Sequence, residues 1–152
     1  MLDGKGIIIT GAAQGIGAVL AAGFAKMGAR VALADIADPA AAVDRVRVEG
    51  GDAIGVQMDV TDQADCERMV AETLAAFGAV DGLVCNAALF ATLELQTFDA
   101  IAPELWDRVM AVNVKGPWLC TRAVVPEMES AGGGSIVMVS TNRIHQGFPL
   151  ML

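Results

Sequence analysis

The stretch Thr10-Gly11-Ala12-Ala13-Gln14-Gly15-Ile16-Gly17 constrains the fold of this chain more than any other. It follows an apolar run, Ile7-Ile8-Ile9, and leads into a segment where Ile16, Leu20, Phe24 and Met27 recur at helical spacing. A strand that turns through glycines into a helix presents bare backbone N–H groups and the positive end of a helix, which together hold a diphosphate. The expected ligand is therefore a dinucleotide. Glycine spacing alone is weak in a chain with 17 glycines, where a plain tight turn is the alternative. The strand–turn–helix context carries the reading.

Short β-rich runs alternate with helical periodicity along the rest of the chain. Strands are expected over residues 5–10, 30–35, 53–58, 80–85 and 135–139, the first of them apolar throughout and so buried on both faces. The helix behind the glycine turn ends at Gly28, and a second, over 39–49, closes at Gly50-Gly51. A third is capped by Thr61 or Asp62, buries Cys66, Met69, Val70, Thr73, Leu74 and Phe77, and ends at Gly78. Pro103 opens a long helix through about Met128, with bends expected near Pro117 and Pro126. Neither repeat nor linker interrupts this order, so residues 1–152 read as one dinucleotide-binding domain. The βαβαβαβαβ order predicts an α/β fold, a doubly wound (Rossmann-type) parallel sheet in a three-layer α/β/α arrangement, incomplete on its carboxyl-terminal side. Ligands of such sheets bind beyond the carboxyl ends of the strands, where the strand order reverses.

Charge narrows the partners. A net charge of −8 and a pI near 4.4 leave nothing to neutralise a run of phosphates, so nucleic acid is excluded. Residues 6–25 carry no charge, yet glycines at 6, 11, 15, 17 and 23 make a poor membrane span, so no membrane partner is expected. Cys66, Cys85 and Cys120 form no CxxC pair and no metal-ligand spacing with the lone His145; no metal is expected, and each cysteine reads as a small buried apolar residue. Nothing requires an oxidising compartment, so the expected location is cytoplasmic.

Candidate binding residues fall just past the strands. Gly11, Gln14, Gly15 and Ile16 belong to the phosphate turn. Asp35 ends the second strand at the distance where an acidic residue meets the adenosine ribose hydroxyls. A 2′-phosphate there would meet like charge, and neither Gln14 nor Ile36-Ala37 supplies a cation, so NAD is expected over NADP. The alternative is an Asp that only starts the turn toward Pro39. Asp59 and Val60 can set a carboxylate and a backbone amide against adenine, or Asp59 can serve the helix that follows. Asn86 can bridge strand ends through its side-chain amide, with Ala87 small enough to let a sugar approach, or it can be a turn former.

With Asp59-Val60-Thr61, Asn86-Ala87-Ala88, Asn113-Val114-Lys115-Gly116 and Gly134-Ser135-Ile136-Val137 in the right order after residues 10–17, the chain resembles the amino-terminal three-fifths of a short-chain dehydrogenase/reductase. The resemblance implies hydride transfer between a nicotinamide cofactor and an alcohol or carbonyl carbon of a small molecule, by an oxidoreductase that forms homo-oligomers when full length. It implies that Asn113 is the helix Asn whose backbone carbonyl holds a water in the proton relay. It sets Thr141 at the position of the family's Ser, with Ser140 one residue before as the alternative hydroxyl. Cys85 and Ala88 depart from the family's usual Asn and Gly. The family's YxxxK falls past Leu152, and the chain contains no tyrosine. The expectation is thus a fragment that binds cofactor weakly and turns over nothing, with apolar surface left open around Trp106, Val109 and Trp118. The apolar ending 147–152 reads as a substrate-side loop. Two other classes stay open: a noncatalytic dinucleotide-binding module, and a doubly wound methyltransferase, against which the Asn113 segment and Asp59-Val60 speak.

Overall fold

The computed structural model describes residues 1–90 and 93–141. Strands β1 (Gly6–Thr10), β2 (Arg30–Asp35), β3 (Asp52–Gln57), β4 (Gly82–Cys85) and β5 (Ser135–Met138) form one sheet in the order β3-β2-β1-β4-β5, every pair parallel. Helices α1 (Gly15–Lys26) and α2 (Ala40–Val48) pack on one face, and α3 (Gln63–Phe77) and α5 (Gly116–Ser130) on the other. This is the three-layer, doubly wound arrangement read from the sequence.

The pleat explains why β1 is apolar at every core position. Ile7 and Ile9 enter the α1/α2 layer beside Val31, Leu33 and Val84, while Ile8 enters the α3/α5 layer beside Ala32, Ala34 and Leu83. Alternating side chains thus feed two separate cores, and all five residues of β1 are buried. β5 lies at the sheet edge with three of its four residues exposed.

Most expected elements form within a residue or two of their limits. Asp62 caps α3, accepting from Asp65 N at 3.1 Å, and Gly78 ends that helix at φ 76°. β4 starts two residues later than expected, and Asp81 just before it ties the two strand starts together: its carboxylate accepts from Lys5 Nζ at 2.8 Å and from Gly6 N at 2.9 Å. Partial burial raises the pKa of that carboxyl, but the lysine and the amide together hold it below the usual range.

The long helix is the main difference. It divides into α4 (Pro103–Met110), a five-residue π turn (Ala111–Lys115) and α5. The break precedes both expected prolines. Gly116 N donates to Ala111 O and so closes the wider turn. A side chain at Gly116 would meet Val60 Cγ2 at 2.8 Å, so the chain approaches the β3 end closely here. Pro117 lies in the first turn of α5, where it is tolerated.

Trp106 and Trp118 are about half exposed, with the Arg122 guanidinium 5.6 Å from the Trp118 ring centroid, while Val109 is partly covered. Cys66, Cys85 and Cys120 are free and buried, as expected. Burial pushes the Cys85 thiol up to about 11, and the Cys66 thiol together with burial raises that of Cys120. His145 and residues 147–152 lie outside the described residues. No helix among the described residues is long and apolar enough to cross a membrane.

Candidate functional site at the strand ends

The strand order reverses between β1 and β4, so a crevice opens past Thr10 and Cys85. Its floor is built by two residues that bond reciprocally. The buried Thr10 hydroxyl accepts from Asn86 N and Ala87 N, both at 3.1 Å, and donates to Val84 O at 3.4 Å. Asn86 Nδ2 returns bonds to Thr10 O and Gly11 O, each at 3.0 Å. Asn86 therefore bridges the strand ends through its amide, and the two ends are fastened rather than merely adjacent.

The three glycines of the turn serve different needs. Gly11 has φ 67°, and a Cβ on it would sit 2.7 Å from Ala87 Cα. A Cβ on Gly17 would collide with the Gly11 carbonyl and come within 2.8 Å of Asn86 Nδ2. Both are excluded by their neighbours. Gly15, at φ 58°, faces open space instead. Gln14 gives α1 no side-chain cap, and its first turn holds no acidic residue. The first amides of a helix need a partner. Open room above Gly15 and an uncapped, uncrowded helix end fit a diphosphate. Ile16 stands exposed beside it.

Asp35 closes the next side. Its Oδ2 accepts from Ala13 N at 2.8 Å and its Oδ1 from Ala37 N at 2.9 Å. The first bond ties β2 to the glycine turn; the second shapes the turn toward Pro39, as the alternative reading of Asp35 expects. Each carboxylate oxygen accepts more than one bond, which leaves capacity for hydroxyl donors. Ile36 beside it is exposed, and no Lys or Arg occurs in residues 11–17 or 36–38.

Past β3, Asp59 Oδ1 accepts from Thr61 N and Thr61 Oγ1, both at 2.8 Å. Val60 is buried against α5 rather than open to the crevice. Asn113 sits in the π turn and clamps the segment after β4: its Oδ1 accepts from Leu89 N at 2.8 Å and its Nδ2 donates to Leu89 O at 3.2 Å. Because residue 117 is proline, the α-helical donor to the Asn113 carbonyl is missing. Ser140 and Thr141 leave β5 exposed, just after Val139 N donates to Cys85 O at 3.0 Å, which brings them level with Asn86.

Sequence reasoning passes over the Thr10 hydroxyl, Asp65 and Arg68. A signal for Asp65 does exist, since Asp62-x-x-Asp65 has the form of a helix-opening acidic pair. Its actual bond, however, is to Asp59 N at 2.8 Å.

The family model described as short chain dehydrogenase matches residues 5–152. An uncharacterized oxidoreductase of Thermotoga maritima is 40% identical over 152 residues, covering 98% of this chain and 58% of that protein. A sorbitol dehydrogenase of Cereibacter sphaeroides is 41% identical over 151 residues, covering 99% of this chain and 57% of its own length. The chain thus spans less than two thirds of these curated relatives. A crystal structure of 3-ketoacyl-(acyl-carrier-protein) reductase from Brucella melitensis in complex with NADH superimposes with a TM-score of 0.89 at 35% identity, over 99% of this chain and 62% of that one. A short-chain type dehydrogenase/reductase from Mycobacterium marinum gives a TM-score of 0.89 at 31% identity, over 95% and 58%.

Proposed function

Because the chain belongs to the short chain dehydrogenase family, we propose that its strand ends bind a nicotinamide dinucleotide, NAD rather than NADP, for hydride transfer to or from an alcohol or carbonyl carbon of a small molecule. The observation that carries this reading is the crevice between β1 and β4, with its glycine turn, uncapped α1 and the Asp35 carboxylate at one side. Gly11, Gln14, Gly15 and Ile16 hold the diphosphate through main-chain amides. Asp35 accepts from the adenosine ribose hydroxyls and opposes a 2′-phosphate by like charge. The Asp59 carboxylate and the Val60 backbone amide, not its buried side chain, meet the adenine, and Asn86 and Ala87 the second sugar. The NADH in the Brucella melitensis reductase complex supports a nicotinamide ligand.

The cofactor, when bound, supplies the hydride chemistry. This chain's own residues orient and hold protons. The Asn113 carbonyl, lacking its α-helical donor, holds a water of the proton relay, while its side chain fixes Leu89 beside the crevice. The Thr141 hydroxyl bonds the substrate oxygen, with Ser140 as the alternative. The protein works in the cytosol and forms homo-oligomers.

Calorimetry tests the binding reading. NAD is expected to bind at least about tenfold tighter than NADP, since a hydrogen bond to a charged acceptor is worth about 1.5–3 kcal/mol. Asp35→Asn, which removes the charge and keeps an acceptor, should close most of that gap. Failure of the folded chain to bind either dinucleotide overturns the proposal.

A further inference from the structure

The Asp59 carboxylate is pinned at one oxygen only. Oδ1 accepts from Thr61 N and Oγ1, whereas Oδ2 accepts from none of the described residues. Its main chain is held from the other side, because Asp59 N donates to Asp65 Oδ2 at 2.8 Å. Asp65 Oδ1 in turn accepts from Arg68 Nη2 at 2.6 Å, and that same Nη2 donates to Gln57 O at 2.9 Å. Arg68 Nη1 reaches Glu72 Oε1 at 3.0 Å, and Asp65 N donates to Asp62 Oδ1, so both members of the clip are themselves fastened to α3. Asp65 reaches back six residues along the chain, outside its own helix. The clip therefore spans the end of β3 and the start of α3, with the turn bearing Asp59 between its jaws. The Asp59 amide and then the Arg68 guanidinium hold the Asp65 carboxyl below its usual range.

We propose that Asp65, held by Arg68, is a positioning residue that sets purine specificity. It fixes the turn so that the open Asp59 oxygen accepts a hydrogen bond from a 6-amino group. This rests on the reading above, in which the dinucleotide lays its adenine at Asp59. A carboxylate accepts from a 6-amino purine and repels the lone pairs of a 6-oxo purine, so the choice depends on where that oxygen is held. Without the clip the Asp59 amide loses its bond to Asp65; Asp62 N still donates to Asp59 O and Met58 N to Asp35 O, but neither holds that amide, and the Thr61 bonds move with the Asp59 side chain.

The test is titration of the chain with NAD and with nicotinamide hypoxanthine dinucleotide, which differ in that ring substituent and in the N1 proton that accompanies it. Wild type should prefer NAD by about tenfold. Asp65→Ala should bring the ratio to within about twofold while the affinity for the hypoxanthine compound moves little, since the diphosphate and ribose contacts are untouched. Asp65→Asn keeps an acceptor for Asp59 N and should retain most of the preference; Arg68→Met should lower it. A merely structural role would weaken both ligands together and leave their ratio alone. If circular dichroism shows Asp65→Ala unfolded, Asp65→Asn and Arg68→Met carry the test. A wild-type ratio in folded Asp65→Ala, or in Arg68→Met when Asp65→Ala does not fold, overturns the proposal. Equal binding of both ligands by wild type also overturns it, while leaving dinucleotide binding intact. Binding of neither defeats the functional reading itself.

Discussion

Two turns flank the proposed binding crevice, and they are shaped by opposite means. The turn after β1 is made by omission: Gly11 and Gly17 leave room for Ala87, the Gly11 carbonyl and the Asn86 amide, and Gly15 leaves open space. The turn after β3 is made by addition, with Asp59, Thr61, Asp65 and Arg68 joined in hydrogen bonds around it. At Gly11 and Gly17 the omission cannot be compensated, because an added atom there meets backbone. A polar clip can be loosened by degrees. The first turn should therefore fail abruptly and the second gradually.

Gly17→Ala should break the contrast hardest. Its methyl meets backbone that is already bonded to Asn86, so we expect a loss of about 3 kcal/mol or more in a urea melt, with NAD binding abolished in calorimetry. Asn86→Ala ranks next. It leaves Thr10 O and Gly11 O without this donor, at about 2 kcal/mol in the same melt, and should weaken NAD binding without abolishing it.

The smallest effect sharpens the comparison on the other side. The Asp65 pKa is depressed in the folded chain, so its stabilisation is complete above the unfolded value near 3.8 and fades as pH falls through the folded value. The stability gap between wild type and Asp65→Asn should thus be constant near neutrality and narrow below about pH 4. Because the Asp65 and Arg68 side chains keep 30% and 43% of their surface exposed, solvent screening keeps that gap small. Urea melts of both proteins at pH 6 and pH 3 measure it.

The same contrast governs what the sequence reveals. Omissions are legible: the glycines behind Ile7-Ile8-Ile9 announce the first turn, and the apolar run of β2 ends at Asp35, where the spacing puts it. The amide bridge by Asn86 follows from its residue type and its place after a strand. The clip is less legible, because Asp65 and Arg68 three residues apart look like an ordinary surface ion pair on a helix. Only the fold brings Asp59 N and Gln57 O within their reach. The π turn is hidden for a related reason. Ala111-Val112-Asn113-Val114-Lys115 reads as ordinary helix apart from the donor that Pro117 denies the Asn113 carbonyl, and the widening accompanies contacts of Asn113 with Leu89 and of Gly116 with Val60. Long-range contacts override local preference there.

β1 is greasy on both sides, which has a consequence for how it finds its neighbour. A one-residue slip against β4 would exchange the two helix layers yet still bury every side chain, so hydrophobicity alone guards alignment poorly. Polar locks at the two extremities do that work instead: Asp81 grips the Gly6 amide at one end, and Thr10 and Asn86 interlock at the other. The crevice floor is thereby also the end-stop that indexes the sheet, and damage to it would misalign strands well away from any ligand.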